Sequence, residues 1–320
     1  MDRVELSIGS GGKKMGEFIE MLSSYLGFEP IYDSFFNEDI GFTTDSYVVS
    51  PIFFPGGDIG KLSICGTYND LVVCGILPKY ISLSLIIEEG FPMDELKKIL
   101  LSIKETSDAC NIQIVTGDTK VVRKGEVQGL FINTGGIGRI IKKPSISLKN
   151  GDKIIITGPC GDHSASIMMA RGEFEFEGEV KSDCSPMKFL LQLWEEGAIW
   201  MRDITRGGLA TVLCELSRDS NCPLIVDEGL IPLSDAVLAI CSFLGLDPLY
   251  LASEGCAIIV TDKEKEGKIL EALHKEGCHK ASTIGEIGGC GRKKDAILKT
   301  KSGGLRLLSP LTGELLPRIC

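Results

Sequence analysis

Apolar and polar positions along the chain alternate between two periods, one helical and one extended, and neither dominates. Met15, Phe18, Ile19, Leu22 and Leu26 fall on one helical face, after the glycine-rich start Ile8-Gly9-Ser10-Gly11-Gly12-Lys13-Lys14. Strands are predicted at residues 41–49 and 81–87. Pro92 then opens a helix with Asp94 and Glu95 in its first turn, where carboxylates suit the positive end of the helix dipole. Met93, Leu96, Leu100 and Ile103 keep its period, and strands follow at residues 112–115 and 127–133. A basic, turn-rich stretch from Gly135-Gly136-Ile137-Gly138 through Pro144 to Asn150 and Gly151 reads as a domain boundary.

Beyond it the pattern gives a strand at 153–157 and helices at 162–171, 187–196 and 208–217. A strand at 257–260, a helix at 263–275 and a strand near Ile284 close the series. Residues 81–115 and 257–284 share one outline: apolar strand, charged helix, cysteine, strand. Strands mixed with helices in both halves predict an α/β fold of the α+β type, in two domains with partly antiparallel sheets. We place the domains at residues 1–145 and 146–309, followed by a mobile tail at 310–320.

Composition narrows the classes. The 320 residues suit two domains, and no apolar run approaches the length of a bilayer span. Met1-Asp2-Arg3-Val4-Glu5 lacks the pattern of a secretory signal, so a cytoplasmic location is expected. The net charge of −10 argues against nucleic acid, which needs a basic face. It permits a polyphosphate, provided carboxylates hold Mg²⁺ and the metal presents the positive charge. The 12 cysteines include no C-x-x-C pair. Cys278, His279 and Cys290 come nearest to a metal cluster but lack a second pair, so buried free thiols are expected instead.

Several segments carry candidate chemistry. Asp45, Asp70 and Asp118 each interrupt apolar sequence at what reads as a strand–turn junction, flanked by Thr, Asn or Gly. Such a carboxylate either caps a turn or binds a cation. Three within one domain favour a metal–phosphate site. Met201-Arg202-Asp203-Ile204-Thr205-Arg206-Gly207-Gly208-Leu209 looks like a loop feeding a helix N-terminus, where backbone N–H groups hold anions. The N-terminal glycines could also fold over phosphates, although the Walker A spacing is missing. With 3 histidines and no G-x-S-x-G, a hydrolase triad is not expected. The last residue, Cys320, is either a cysteine on a frayed end or a thiol on a tether. Ten residues beyond Pro310 would reach roughly 35 Å if extended, enough to enter a pocket elsewhere.

Taken together, residues 42–49, Gly117-Asp118-Thr119, residues 202–209 and Leu251-Ala252-Ser253-Glu254-Gly255 resemble the ATP-using aminoimidazole ribonucleotide synthetase superfamily. Its branches include selenophosphate synthetase, thiamin-monophosphate kinase and the hydrogenase-maturation factors of the HypE family. The ending Pro317-Arg318-Ile319-Cys320 is similar to the last of these, and the resemblance covers essentially the whole chain. Unlike selenophosphate synthetases, the glycine-rich start carries no cysteine.

The resemblance implies a PurM-like architecture whose N-terminal mixed-sheet domain forms a barrel in a homodimer. It implies ATP and Mg²⁺, with Asp45, Asp70 and Asp118 on the metal. Gly11, Gly12, Lys13, Thr44, Asp45, Asp70, Thr119, Asp203, Arg206 and Gly207 would bind nucleotide. It also implies that a carbamoyltransferase, HypF, loads Cys320 with a carbamoyl group. The resulting thiocarboxamide would be dehydrated to a thiocyanate and the cyanide passed to a HypC–HypD complex for the iron of [NiFe]-hydrogenase. Lys120 would stabilise the transferring phosphoryl group and Glu254 would take protons from the amide nitrogen. Each has a plainer reading, as a solvated lysine at a strand end and a turn carboxylate respectively. Two alternatives stand beside this chemistry: a small-molecule synthetase or kinase of the same superfamily, and a non-catalytic carrier presenting Cys320.

Overall fold

The structure, a computed structural model, describes residues 3–28, 32–172, 178–289, 291–313 and 318–320. Its first half is one long buried helix laid on a five-stranded sheet. In chain order the elements are α1 (Lys13–Leu26), β1 (Phe35–Asn37), β2 (Ile40–Tyr47), β3 (Phe53–Phe54) and β4 (Gly57–Asp58). There follow α2 (Ile59–Val73), β5 (Ile76–Glu88), α3 (Met93–Cys110), β6 (Gln113–Val122) and β7 (Leu130–Ile140). The sheet order is β1-β2-β7-β5-β6, antiparallel except for β5 and β6, while β3 and β4 pair separately. A parallel neighbour needs a crossover, and α3 supplies it.

Two features of this half depart from the sequence reading. Helix α2 was not predicted, because it is buried on nearly every side and shows no apolar stripe of helical period. Its start is nevertheless marked: the Asp58 carboxylate accepts the N–H groups of Gly60 and Lys61 at 2.7 and 3.1 Å. As a consequence Asp70 sits in the last turn of a helix, not at a strand–turn junction. The second departure is Gly135–Gly138, read as turn but lying inside the central strand β7. A Cβ at Gly136 would come within 2.6 Å of the Thr67 side chain and 2.9 Å of Leu71, so glycine there lets α2 lie directly on the sheet.

The second half contains β8 (Lys153–Ile156), α4 (Asp162–Ala170), α5 (Leu190–Glu196), β9 (Ala198–Asp203), α6 (Gly208–Ser220) and β10 (Leu224–Asp227). It continues with α7 (Asp235–Leu244), β11 (Ala257–Thr261), α8 (Glu266–Lys275), β12 (Ser282–Ile287), β13 (Ala296–Lys299) and β14 (Leu305–Leu307). These strands form a seven-stranded sheet in the order β14-β13-β10-β12-β8-β11-β9. The shared outline of the two halves is real but differs in pairing. β5 and β6 are neighbours, whereas β8 inserts between β11 and β12 and runs antiparallel to both.

One apolar core joins the halves. It takes Tyr47, Leu62 and Leu71 from the first, Met187, Trp194 and Ile259 from the second, and Ile319 and Cys320 from the chain end. The Trp194 indole donates to the Val72 carbonyl at 2.8 Å, tying α5 to α2. Helix α2 is therefore a fixed platform, and its polar residues face a site built from both halves. Among the described residues no helix is long and apolar enough to cross a membrane.

Candidate active site

Four acids converge where β2, α2 and the end of β9 meet. Asp45 stands opposite Thr134 across the β2–β7 ladder, on the sheet face that Thr67 of α2 covers. Asp70 accepts the Thr43 hydroxyl at 3.1 Å. Asp203 is the last residue of β9, and Asp33 is held by Arg202 at 2.8 Å. Burial raises the pKa of Asp70 well above the usual range, and the charges of Asp203, Asp33 and Asp45 raise it further. Asp45 is raised mainly by burial, with the Arg206 guanidinium opposing. Asp203 is pushed up to about 7 by burial and by Asp33. Acids that destabilise one another's charge are what a bound cation relieves.

Among the described residues no three His, Cys, Asp or Glu side chains converge closely enough to hold a metal unaided. That fits Mg²⁺, which takes one or two carboxylates and completes its shell with phosphate oxygens and water. The raised pKa has a measurable consequence. In the unfolded chain Asp203 titrates near 4, so between that pH and about 7 the fold binds the extra proton. The contribution of Asp203 to stability is thus largest on the acid side and declines as pH rises through this window. Thermal melts of the nucleotide-free protein should show wild type losing stability relative to Asp203→Asn between about pH 5 and about pH 7.5. Parallel curves for the two would contradict this assignment.

Three loops close over the acids. Gly207 and Gly208 have left-handed backbone, with φ of 88° and 65°, and turn the chain from β9 into α6. A Cβ on Gly11 would lie 2.5 Å from the Arg206 carbonyl oxygen, and one on Gly12 would lie 2.0 Å from that of Leu311. The N-terminal glycines therefore pack against Arg206 and the segment that leads to the chain end. Lys13 donates its backbone N–H to Leu311 at 2.9 Å, but its side chain is exposed and faces Glu17.

Glu254 and Cys320 lie beside this cluster. Glu254 is 3% exposed, and its Oε1 has no hydrogen-bond partner among the described residues. Its backbone is fixed. The Asp183 carboxylate accepts the N–H groups of Glu254 and Gly255 at 3.0 and 3.1 Å, and the Asn69 amide donates to the Glu254 carbonyl at 3.2 Å. Burial drives the Glu254 pKa well up, with Cys184 and Asp203 adding to it. Cys320 is 7% exposed. Burial pushes its thiol up to about 12, with Arg206 opposing and Glu254 reinforcing the rise. In this structure the end of the tail is docked, not free as expected. Residues 314–317 of the tail lie outside the described residues, as does Cys290.

Not every predicted residue joins the site. Asp118, Thr119 and Lys120 lie on the edge strand β6, three strands from β2. The register puts Asp118 and Lys120 on the sheet face of Ser84 and Ile86, opposite the face of Asp45. They form an exposed ion pair at 2.8 Å. A single chain therefore does not assemble Asp45, Asp70 and Asp118 as one metal set. Thr44 likewise points away from Asp45, its hydroxyl donating to the Thr134 carbonyl at 3.0 Å. Residues missed from the sequence are Asp33, Asn69 and Asp183. Asn69 sits in the same Gly66–Leu71 segment as Asp70, but nothing in the linear pattern links Asp183 to Glu254.

Comparison with known proteins identifies the arrangement. Residues 34–140 match the family AIR synthase related protein, N-terminal domain, and residues 149–297 match AIR synthase related protein, C-terminal domain. Carbamoyl dehydratase HypE of Escherichia coli (strain K12) is 39% identical over 341 aligned positions, covering 100% of each chain. The chain belongs to the HypE family of hydrogenase-maturation proteins. Two solved HypE structures agree with that. A HypE–HypF complex superposes with a TM-score of 0.87 at 38% identity, covering 92% of this chain and 99% of that one. HypE in complex with ATP gives 0.85 at 39% identity, over 98% of each.

Proposed function

We propose that this chain is an ATP-dependent carbamoyl dehydratase whose substrate is its own S-carbamoylated Cys320. The observation that carries the reading is a buried Cys320 beside Arg206 and beside Glu254, whose Oε1 has no hydrogen-bond partner among the described residues. The relative in complex with ATP and the relative in complex with HypF support the nucleotide and the loading partner.

The chemistry follows from the groups present. A carbamoyl thioester, S–C(=O)–NH₂, has a poor leaving oxygen, and phosphorylation makes it a good one. The carboxamide oxygen attacks the γ-phosphorus and ADP departs. The C–O bond then breaks, releasing phosphate, while the nitrogen gives one proton to Glu254 and the other to the departing phosphate and forms the triple bond of S–C≡N. Arg206 lies beside the sulfur and offers a fixed positive charge to the developing phosphoryl oxygens. Glu254 is the proton acceptor, held by its backbone so that its free oxygen stays in the site. The N-terminus of α6 supplies backbone donors for phosphate. Asp45 and Asp70, with Asp203 beside them, would hold Mg²⁺, which would offset the charge of the triphosphate when bound.

The exposed face of the first sheet, with Phe42, Tyr80 and Ile86 uncovered, supports a homodimer through this domain. Lys120 would then act only at a site to which a second copy presents it. HypF loads the thiol, and a HypC–HypD complex takes the cyanide. Asp45→Asn removes one charge from the cluster. It should weaken Mg-ATP binding roughly tenfold or more and stop dehydration while leaving carbamoylation of Cys320 intact, as read by nucleotide titration and tail mass. Unchanged Mg-ATP affinity would contradict the metal–phosphate site.

A further inference from the structure

His163 of α4 is fully buried, and the chemistry above does not use it. Both ring nitrogens are engaged: Nε2 lies 2.5 Å from the Ile319 carbonyl oxygen and Nδ1 2.7 Å from the Ser182 hydroxyl. A carbonyl only accepts, so Nε2 carries the hydrogen and Nδ1 accepts from Ser182. Burial lowers the pKa of His163 to about 4, which keeps the ring neutral near pH 7 in this tautomer. Ser182 is itself oriented, since its oxygen accepts the Cys184 N–H at 3.0 Å.

A second group grips the preceding residue. Arg171, at the end of α4, donates Nη2 to the Arg318 carbonyl at 3.2 Å and Nε to the Ser50 carbonyl at 3.0 Å. The Arg318 carbonyl also accepts the Ser50 N–H at 2.9 Å, and Val48 N–H reaches the Cys320 carbonyl oxygen at 3.3 Å. Arg318 itself is held in the left-handed region, at φ 54°, which a non-glycine residue leaves readily when released. Apart from the Arg171 bond to Ser50, each of these contacts is made to the backbone of residues 318–320, and none of them is made to the sulfur.

We propose that His163, supported by Ser182 and Arg171, is a positioning latch that reads the backbone before Cys320 and sets how much of the tail is docked. A latch that ignores the side chain holds the thiol, thiocarboxamide and thiocyanate forms alike, so one seat serves the whole reaction. A thiol 7% exposed cannot enter another protein's site, so release of the latch must precede loading and delivery. The dehydration arm of the test below rests on the proposed function; the docking arm does not.

The docking arm uses the unmodified full-length protein without nucleotide. Iodoacetamide is added, and the rate at which the C-terminal peptide gains the alkyl group is followed by mass spectrometry. A docked thiol reacts slowly, because the thiolate is the nucleophile. His163→Ala should raise the Cys320 rate about tenfold, as loss of one buried hydrogen bond allows. His163→Gln, whose amide can donate to the same carbonyl, should restore most of the protection. Ser182→Ala, which leaves α4 and the tail unchanged, should raise the rate severalfold and serves where His163→Ala does not fold. A Cys320 rate within about twofold of wild type in a folded His163→Ala or Ser182→Ala protein would overturn the latch. In the second arm, carbamoylated His163→Ala should dehydrate more slowly than wild type in a single turnover. If wild type never dehydrates while the alkylation rates rise as stated, the latch stands and the proposed function falls.

Discussion

Cys320→Ala abolishes every gain in tail mass in the presence of carbamoyl phosphate, ATP and HypF, yet leaves nucleotide affinity within about twofold of wild type. The first half of that result follows from the sulfur being the acceptor. No other group in the last tripeptide combines nucleophilicity with a seat beside Arg206 and Glu254. The second half follows from what holds the residue. Its docking is carried by backbone hydrogen bonds to Val48 and by those of its neighbours to Ser50, Arg171 and His163, all of which alanine keeps. The variant gives up one small buried side-chain atom, worth roughly 1 kcal/mol of packing. Modification that persisted elsewhere in Cys320→Ala would move the acceptor to another thiol and break the argument.

Glu254→Gln is expected to stop the reaction halfway. Carbamoylation proceeds, the tail gains about 43 Da, and the later loss of water slows by roughly 10²–10⁴-fold, the range for removing a general base. The substitution is nearly isosteric, and the anchors of this loop are backbone groups: Asp183 on the N–H groups of Glu254 and Gly255, Asn69 on the carbonyl. The amide should therefore occupy the same place without accepting a proton. The raised pKa of Glu254 adds a pH signature, because the working form is the carboxylate. Wild-type dehydration should increase with pH as Glu254 ionises, and the residual rate of the variant should not follow that rise. Full-speed dehydration by Glu254→Gln would assign the proton transfer elsewhere.

Much of this site was legible in the sequence because its parts are local. Asp203 and Arg206 stand in a segment whose apolar flank and glycines mark a strand end and a helix start, and Asp45 stands within a predicted strand, not at the strand–turn junction read from the sequence. The terminal cysteine is visible without any fold. Partnerships over long separations were not legible. Asp33 enters through a salt bridge to Arg202, and Asp183 reaches Glu254 across 71 positions. Helix α2 escaped because burial on all sides erases the period that reveals an amphipathic helix, and with it went the true setting of Asp70. Asp118 misled for the opposite reason. Its glycine–aspartate–threonine context looks like the others, but strand order sends it to the far edge and face of the sheet. The glycines of β7 look like a turn in isolation, and only the helix packed against them explains their size.

The most direct test of the account is the mass of the C-terminal peptide after incubation of the purified protein with carbamoyl phosphate, ATP and HypF. The account predicts a gain of about 43 Da that gives way to a net gain of about 25 Da as phosphoryl transfer to the amide oxygen drives loss of water. A peptide that stops at the larger gain would make the chain a carrier. One that never changes mass would contradict the account outright.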